Sequence, residues 1–188
     1  DPGFFVGLSR TESGRFVVVD AHDHETSEAR LLDTSRPEGP LVLVARRTPR
    51  VEYDVTHHGE RLLIRTNDGG AEDFEIVQMP LERLGGDVER ASWSPVWPHE
   101  QGRLLLAFHV FSEHLVVLER VEGLPRLVIV ELQPGGALGP RHAVAFDEEA
   151  YSLALHGSRE FETTIVRCGY SSMATPNRVY DYDMKTRA

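Results

Sequence analysis

Few residues of this 188-residue chain could do chemistry, and their spacing decides what each could do. A serine nucleophile of the α/β-hydrolase type needs Gly-x-Ser-x-Gly, which sets the hydroxyl on a sharp strand-to-helix turn beside backbone donors. Gly169-Tyr170-Ser171-Ser172-Met173 begins that pattern but lacks the second glycine and precedes no helical spacing. Gly157-Ser158-Arg159 breaks off sooner. Ser171 and Ser172 therefore read as turn residues that satisfy nearby backbone groups, and no catalytic residue is assigned. His22-Asp23-His24-Glu25 carries metal-ligand types, with both histidines on one face if the segment is a strand. It lies where a hairpin should reverse, and polar turn residues need no metal. His57-His58, just before Gly59, reads as a turn in the same way. Asp181-x-Asp183 lacks the glycine and distal glutamate of a calcium loop. No metal or cofactor is assigned.

Cys168 is the single cysteine, so an internal disulfide and a cysteine-based zinc site are both ruled out. It ends an apolar run and reads as a small buried hydrophobe in a reducing compartment, which points to the cytoplasm. Trp93 and Trp97 sit in an irregular, proline-containing segment. Packing of that loop is the expectation, with a peptide-contacting ledge as the alternative. Arg46-Arg47 is a dibasic pair at a strand end and reads as solvated charge. The net charge of −10, from 30 acidic and 20 basic side chains, repels phosphate backbones and disfavours nucleic acid. It could steer cationic peptides toward the surface. No run of about eighteen apolar residues is present, so no helical membrane span is expected. The start, Asp1-Pro2-Gly3-Phe4-Phe5, has neither a signal-peptide pattern nor a methionine, which suggests an excised or processed segment.

The elements that position these residues are strands almost throughout. Short apolar and β-branched runs fall at 4–8, 16–19, 29–32, 41–45, 51–55, 62–65 and 74–79. They continue at 104–108, 115–119, 126–132, 142–146, 152–155, 164–167 and 178–182, parted by Gly, Pro, Asn and Asp. The long apolar stretch 104–118 breaks at Glu113-His114, which favours a hairpin over a helix. The segment 84–101 is the least regular and reads as a loop leading into an outer strand. "Strand, Gly-basic turn, strand" begins at Phe4 and recurs from Tyr53, a spacing close to the ~40–50-residue period of a four-stranded propeller blade. Blades are expected at about 1–49, 50–99, 100–147 and 148–188, the last short of its outermost strand.

The tail, Gly169-Tyr170-Ser171-Ser172-Met173-Ala174-Thr175-Pro176-Asn177-Arg178-Val179-Tyr180-Asp181-Tyr182-Asp183-Met184, resembles a segment of one peptidase group. That group is the oligopeptidase B (protease II) branch of the prolyl oligopeptidase family of serine peptidases, where the matching segment closes the propeller. Phe4-Phe5-Val6-Gly7-Leu8-Ser9-Arg10-Thr11 with Ser13-Gly14-Arg15 resembles one of its blade openings. Arg65-Thr66-Asn67-Asp68-Gly69-Gly70-Ala71-Glu72-Asp73-Phe74 resembles its mid-blade turn. The resemblance spans the chain and implies an all-β fold, a partial β-propeller of about four four-stranded antiparallel blades from a seven-bladed parent. It implies the C-terminal half of an N-terminal propeller domain, whose partner is the catalytic α/β-hydrolase domain of the same parent chain.

That hydrolase domain would carry the Ser, Asp and His of the triad. This segment would be a non-catalytic gate, inactive alone, admitting only short peptides for cleavage after Arg or Lys. Peptide substrate would reach it only through the parent. Lys185, Thr186 and Arg187 would lie at the interdomain hinge, and Arg46-Arg47 could touch the hydrolase domain. Open blade faces in such a segment predict a homo-oligomer. The rival reading is a free-standing propeller-like scaffold that binds a partner or ligand. The two differ in whether the reading frame continues past Ala188 into a Gly-x-Ser-x-Gly element.

Overall fold

The computed structural model describes residues 3–86, 89–158 and 160–188. Its described residues form two compact units, Asp1–His99 and Glu100–Ala188. The first unit holds two antiparallel sheets. β1 (Phe5–Arg10), β2 (Phe16–His22), β3 (Ser27–Asp33) and β4 (Val42–Leu43) pair in that order. β5 (Tyr53–His58), β6 (Arg61–Thr66), β7 (Glu75–Pro80) and β8 (Ser94–Trp97) form the next sheet. In the second unit, β9 (Arg103–Val110), β10 (His114–Val121), β11 (Leu124–Leu132) and β12 (Leu138–Ala143) form a third. β13 (Tyr151–Leu155), β14 (Ile165–Ser172) and β15 (Arg178–Asp183) make a fourth of three strands. Every sheet is an up-and-down meander, the strand pattern of a propeller blade. The fold is all-β, with short 3-10 turns at Asp68–Gly70, Leu81–Arg83 and Arg90–Ser92.

Turn chemistry fixes the hairpins. Between β5 and β6 only Gly59 and Glu60 intervene, and Gly59 takes φ 60° at the first central position, as a II′ turn requires. Between β10 and β11, Glu122 and Gly123 both have positive φ, 52° and 84°, the signature of a I′ turn. The break at Glu113-His114 does separate β9 from β10, with the Phe111 N–H donating to the His114 carbonyl at 2.7 Å.

Two expectations need correction. His57 and His58 are the last residues of β5 and not part of the turn, because the two-residue loop starts only at Gly59. The segment 84–101 does not merely lead into the outer strand but contains it: Ser94–Trp97 form β8, which pairs with β7 alone and carries Pro95. A proline without an N–H is tolerated on such an edge, and its presence hid the strand from a periodicity scan.

In the first unit Phe16, Val18, Ala29 and Leu31 pack against Tyr53, Leu62, Ile64, Val77 and Met79 of the neighbouring sheet. Burying each large apolar side chain contributes about 1.5–3 kcal/mol. A polar seam borders this core. Ser27 Oγ–H donates to the Tyr53 carbonyl at 2.9 Å and accepts the Tyr53 N–H at 2.6 Å. The Tyr53 hydroxyl accepts the Ala29 N–H at 2.8 Å and donates to the Ala45 carbonyl at 3.0 Å. In the second unit Val116, Leu127 and Ile129 meet Val166, Cys168 and Met184.

Candidate functional site

The sequence motifs resolve into structural roles. Ser171 and Ser172 end β14 with no helix after them. Ser172 Oγ accepts the N–H groups of Ala174 and Thr175 at 3.0 and 2.8 Å, and its own hydroxyl donates to Glu148. That is a serine turn with its lone pairs committed, not a nucleophile elbow. Ser158 is occupied with Glu160, accepting its N–H at 3.1 Å and donating to its carbonyl at 3.0 Å. Arg159 lies outside the described residues.

His22 closes β2 and stands 2.8 Å from Asp20 through Nδ1. The Asp23 carboxylate accepts the N–H groups of Glu25 and Thr26, which builds the hairpin turn. Among the described residues no group of three or more His, Cys, Asp or Glu side chains could hold a metal ion. Asp181 is engaged by Arg167 through two contacts of 2.6 Å, and that guanidinium holds its carboxyl low. Asp183 accepts the N–H groups of Thr186 and Lys185, which lower its carboxyl in turn. These bonds fold Lys185, Thr186 and Arg187 into a turn closed by the Arg187 N–H on the Asp183 carbonyl. Met184, inside that turn, is buried.

Cys168 is buried, and burial pushes its thiol up, with Asp181 adding to the effect. It is therefore a poor nucleophile. Trp93 lies edge-on to Tyr53 with ring centroids 5.8 Å apart, and Trp97 is buried in β8, so both pack as expected. Arg46 pairs with Glu89 at 3.8 Å across exposed surface. Arg47 departs from the solvated reading: its guanidinium lies 3.9 Å from the Phe4 ring centroid and 3.8 Å from Glu28. Cation–π and ionic contacts at that range tie the dibasic pair to its own unit.

Two clusters escaped the sequence reading because their members are far apart in the chain. In the first unit Ser13 Oγ lies 2.8 Å from His57 Nδ1. A serine–histidine contact is half of an acyl-transfer site. Here, however, the second ring nitrogen, Nε2, is buried with no hydrogen-bond partner to orient it. Ser13 Oγ also accepts the Arg15 N–H at 3.3 Å, which makes it a loop-forming group.

In the second unit Glu148 gathers three hydroxyls. Thr175 donates at 2.6 Å, Tyr170 at 3.0 Å, and Ser172 completes the set. The Ser172 and Thr175 hydroxyls hold the Glu148 carboxyl below its usual range. Beside it lies a half-open cavity of about 760 Å³, lined by Phe146, Tyr170, Arg178, Tyr180 and Tyr182 among others. Phe146 stacks on Tyr170 at 5.2 Å and 12°. With its oxygens occupied, Glu148 fastens the 172–175 turn. Neither cluster combines nucleophile, oriented base and oxyanion donors.

The family described as prolyl oligopeptidase, N-terminal beta-propeller domain, matches residues 1–188. Dipeptidyl aminopeptidase BI of Pseudoxanthomonas mexicana is 32% identical over 99% of this chain and 24% of its own length. Protease 2 of Moraxella lacunata is 30% identical over 99% of this chain and 25% of its own. The chain thus spans about a quarter of the length of the curated relatives it matches. Oligopeptidase B from Trypanosoma brucei, solved in a closed form with covalently bound antipain, superimposes with a TM-score of 0.87. That match covers all of this chain and 27% of the other, at 27% identity. The strand meanders, the whole-chain match and the relatives agree: the chain belongs to the prolyl oligopeptidase family, within its N-terminal β-propeller domain.

Proposed function

We propose that this chain is a non-catalytic gating segment of a serine oligopeptidase, restricting a hydrolase domain of the same parent chain to short peptides, cleaved after Arg or Lys. The observation that carries this reading is the family match across residues 1–188 in a chain covering a quarter of its relatives' length. The side chains fit it, since Ser13, His57, Ser158 and Ser172 are spent on turns and joints. The net charge of −10 favours approach of cationic peptides. Lys185, Thr186 and Arg187 would serve as the hinge into the hydrolase domain, because their turn is held by local backbone bonds. The setting would be the cytoplasm, in keeping with a single, buried cysteine. As an isolated segment it would self-associate through exposed apolar groups such as Val6 and Leu8 of β1.

The test has two arms. The purified chain, incubated with a chromogenic Arg-ended peptide, should release no product; turnover that survives repurification overturns the non-catalytic reading. A chimera carrying this segment in place of its counterpart in Moraxella lacunata protease 2 should cleave the short peptide and spare a folded protein. Equal cleavage of both refutes gating.

A further inference from the structure

The joint between the first two sheets holds a histidine in the state that acid disfavours. The loop of residues 11–15, between β1 and β2, reaches β5 at two points. The Thr56 hydroxyl donates to Glu12, and Ser13 Oγ meets His57 Nδ1 at 2.8 Å. The Phe16 ring lies edge-on to the imidazole at 5.3 Å. His57 is buried, and its Nε2 has no hydrogen-bond partner. The loop is otherwise self-contained, with the Thr11 N–H on the Phe16 carbonyl at 3.0 Å and the Gly14 N–H on the Thr11 carbonyl at 2.8 Å.

A neutral ring satisfies one nitrogen through Ser13 and leaves the other bare in the interior, a tolerable cost. A protonated ring carries N–H on both nitrogens and a charge, and burial keeps water from solvating that charge. The charged and titratable groups around it are Glu12 and Arg15 on the loop, Asp33 of β3, His58 of β5 and Glu60 of the hairpin turn. Asp33 holds Arg15 at 3.1 Å and so keeps that positive charge in place. Burial opposes protonation most strongly; Arg15 and His58 oppose it further, while Gly59 and Glu60 favour it.

We infer that the Ser13–His57 contact is an acid-released clasp: protonation of His57 detaches the 11–15 loop from β5 and loosens the joint between the first two sheets. Release lets water reach both ring nitrogens, so the open form binds the proton more tightly. Below the ordinary histidine value of 6.5, each pH unit raises the open-to-closed ratio by up to about tenfold. The rise ends once pH falls below the lowered value of the closed form.

Hydrogen exchange of the whole chain, followed by mass spectrometry from about pH 7.5 to about pH 5 and corrected for intrinsic rates, tests this. The amides of Thr11 and Gly14 should hold their protection above about pH 6.5 and lose it by up to about tenfold per unit below that. The loss should run in step with an NMR titration of the His57 ring. His57→Gln should abolish the pH dependence, and Ser13→Ala should leave the loop fast-exchanging at every pH. A pH-independent loop in the wild type, or the same acid response in His57→Gln, overturns the inference. Should His57→Gln not fold, the wild-type comparison decides alone: a loop transition whose midpoint departs from that of the His57 ring refutes the clasp.

Discussion

Replacing Tyr53 by Phe removes one oxygen from the joint between the first two sheets and leaves the ring packing intact. The hydroxyl sits where the β3–β4 ladder runs out. β4 has two residues, and one step beyond it the Val44 N–H still donates to the Ala29 carbonyl at 3.0 Å, which leaves the Ala29 N–H and the Ala45 carbonyl to another partner. The phenol stands between those groups, accepting at 2.8 Å and donating at 3.0 Å. Ala29 and Ala45 are both buried, so water does not replace it freely. Each backbone group left without a partner costs about 1–3 kcal/mol. The relief of no longer burying a hydroxyl offsets part of that, for a net loss of about 2–4 kcal/mol.

In urea, with a slope of about 2 kcal/mol/M, the middle of the range for a unit of this size, the unfolding midpoint should fall by roughly 1–2 M at unchanged slope. A second readout separates this from general damage. Burial pushes the Tyr53 phenol above its ordinary value of 10.0. The unfolded chain therefore ionises first as pH rises, and the stabilisation present below about 10 is lost on the way to the folded value. Tyr53→Phe should lack that alkaline loss. A midpoint shift equivalent to less than about 0.5 kcal/mol would show that the Ala29 N–H and the Ala45 carbonyl find other partners, and the reasoning fails.

Glu122 occupies the first central position of the β10–β11 hairpin at φ 52°, a region that costs a side chain with a Cβ. Glu122→Asn keeps the I′ turn and should raise stability by about 0.5–1 kcal/mol, seen as a higher melting temperature; an unchanged or lower one refutes it. Glu148→Gln should weaken the bonds that fasten the 172–175 turn, with faster limited proteolysis at 173–177 as the readout. In the wild type the carboxylate's contribution is full above its ordinary value of 4.5 and fades as pH falls through the lowered folded value. The variant should show no such transition, and equal proteolysis at neutral pH would contradict the assignment.

Periodicity found strands where one face is buried, as over residues 16–18 of β2 and 27–31 of β3, where alternate side chains are buried. It failed where burial and backbone chemistry part company. β8 is short, carries Pro95 and pairs on one side only, so no alternation betrays it. His57 looked like a turn residue because it lies two positions before Gly59. A two-residue hairpin starts at that glycine, so His57 stays in the strand and faces the core. The polar clusters were illegible for another reason: Ser13 and His57 are 44 residues apart, and Glu148 lies 22 to 27 residues from its three hydroxyl partners. Only the meander brings them together, and no local pattern encodes that.

Both units place their directional bonds in the same position. In the first, Ser27, Tyr53, Ser13 and His57 border an apolar interior. In the second, Glu148 with its hydroxyls, and His142 with Tyr182 at 2.9 Å, border another. Apolar burial is non-directional, so it favours contact between neighbouring sheets without fixing how one face slides over the next. A hydrogen bond from a side chain of one sheet to a backbone group of its neighbour does fix it, and costs little where water could not otherwise reach. Polar residues at hairpin ends therefore do the work that register does within a sheet. Serines and histidines that resemble fragments of a catalytic motif are recruited to it because they are short, and because both can accept as well as donate.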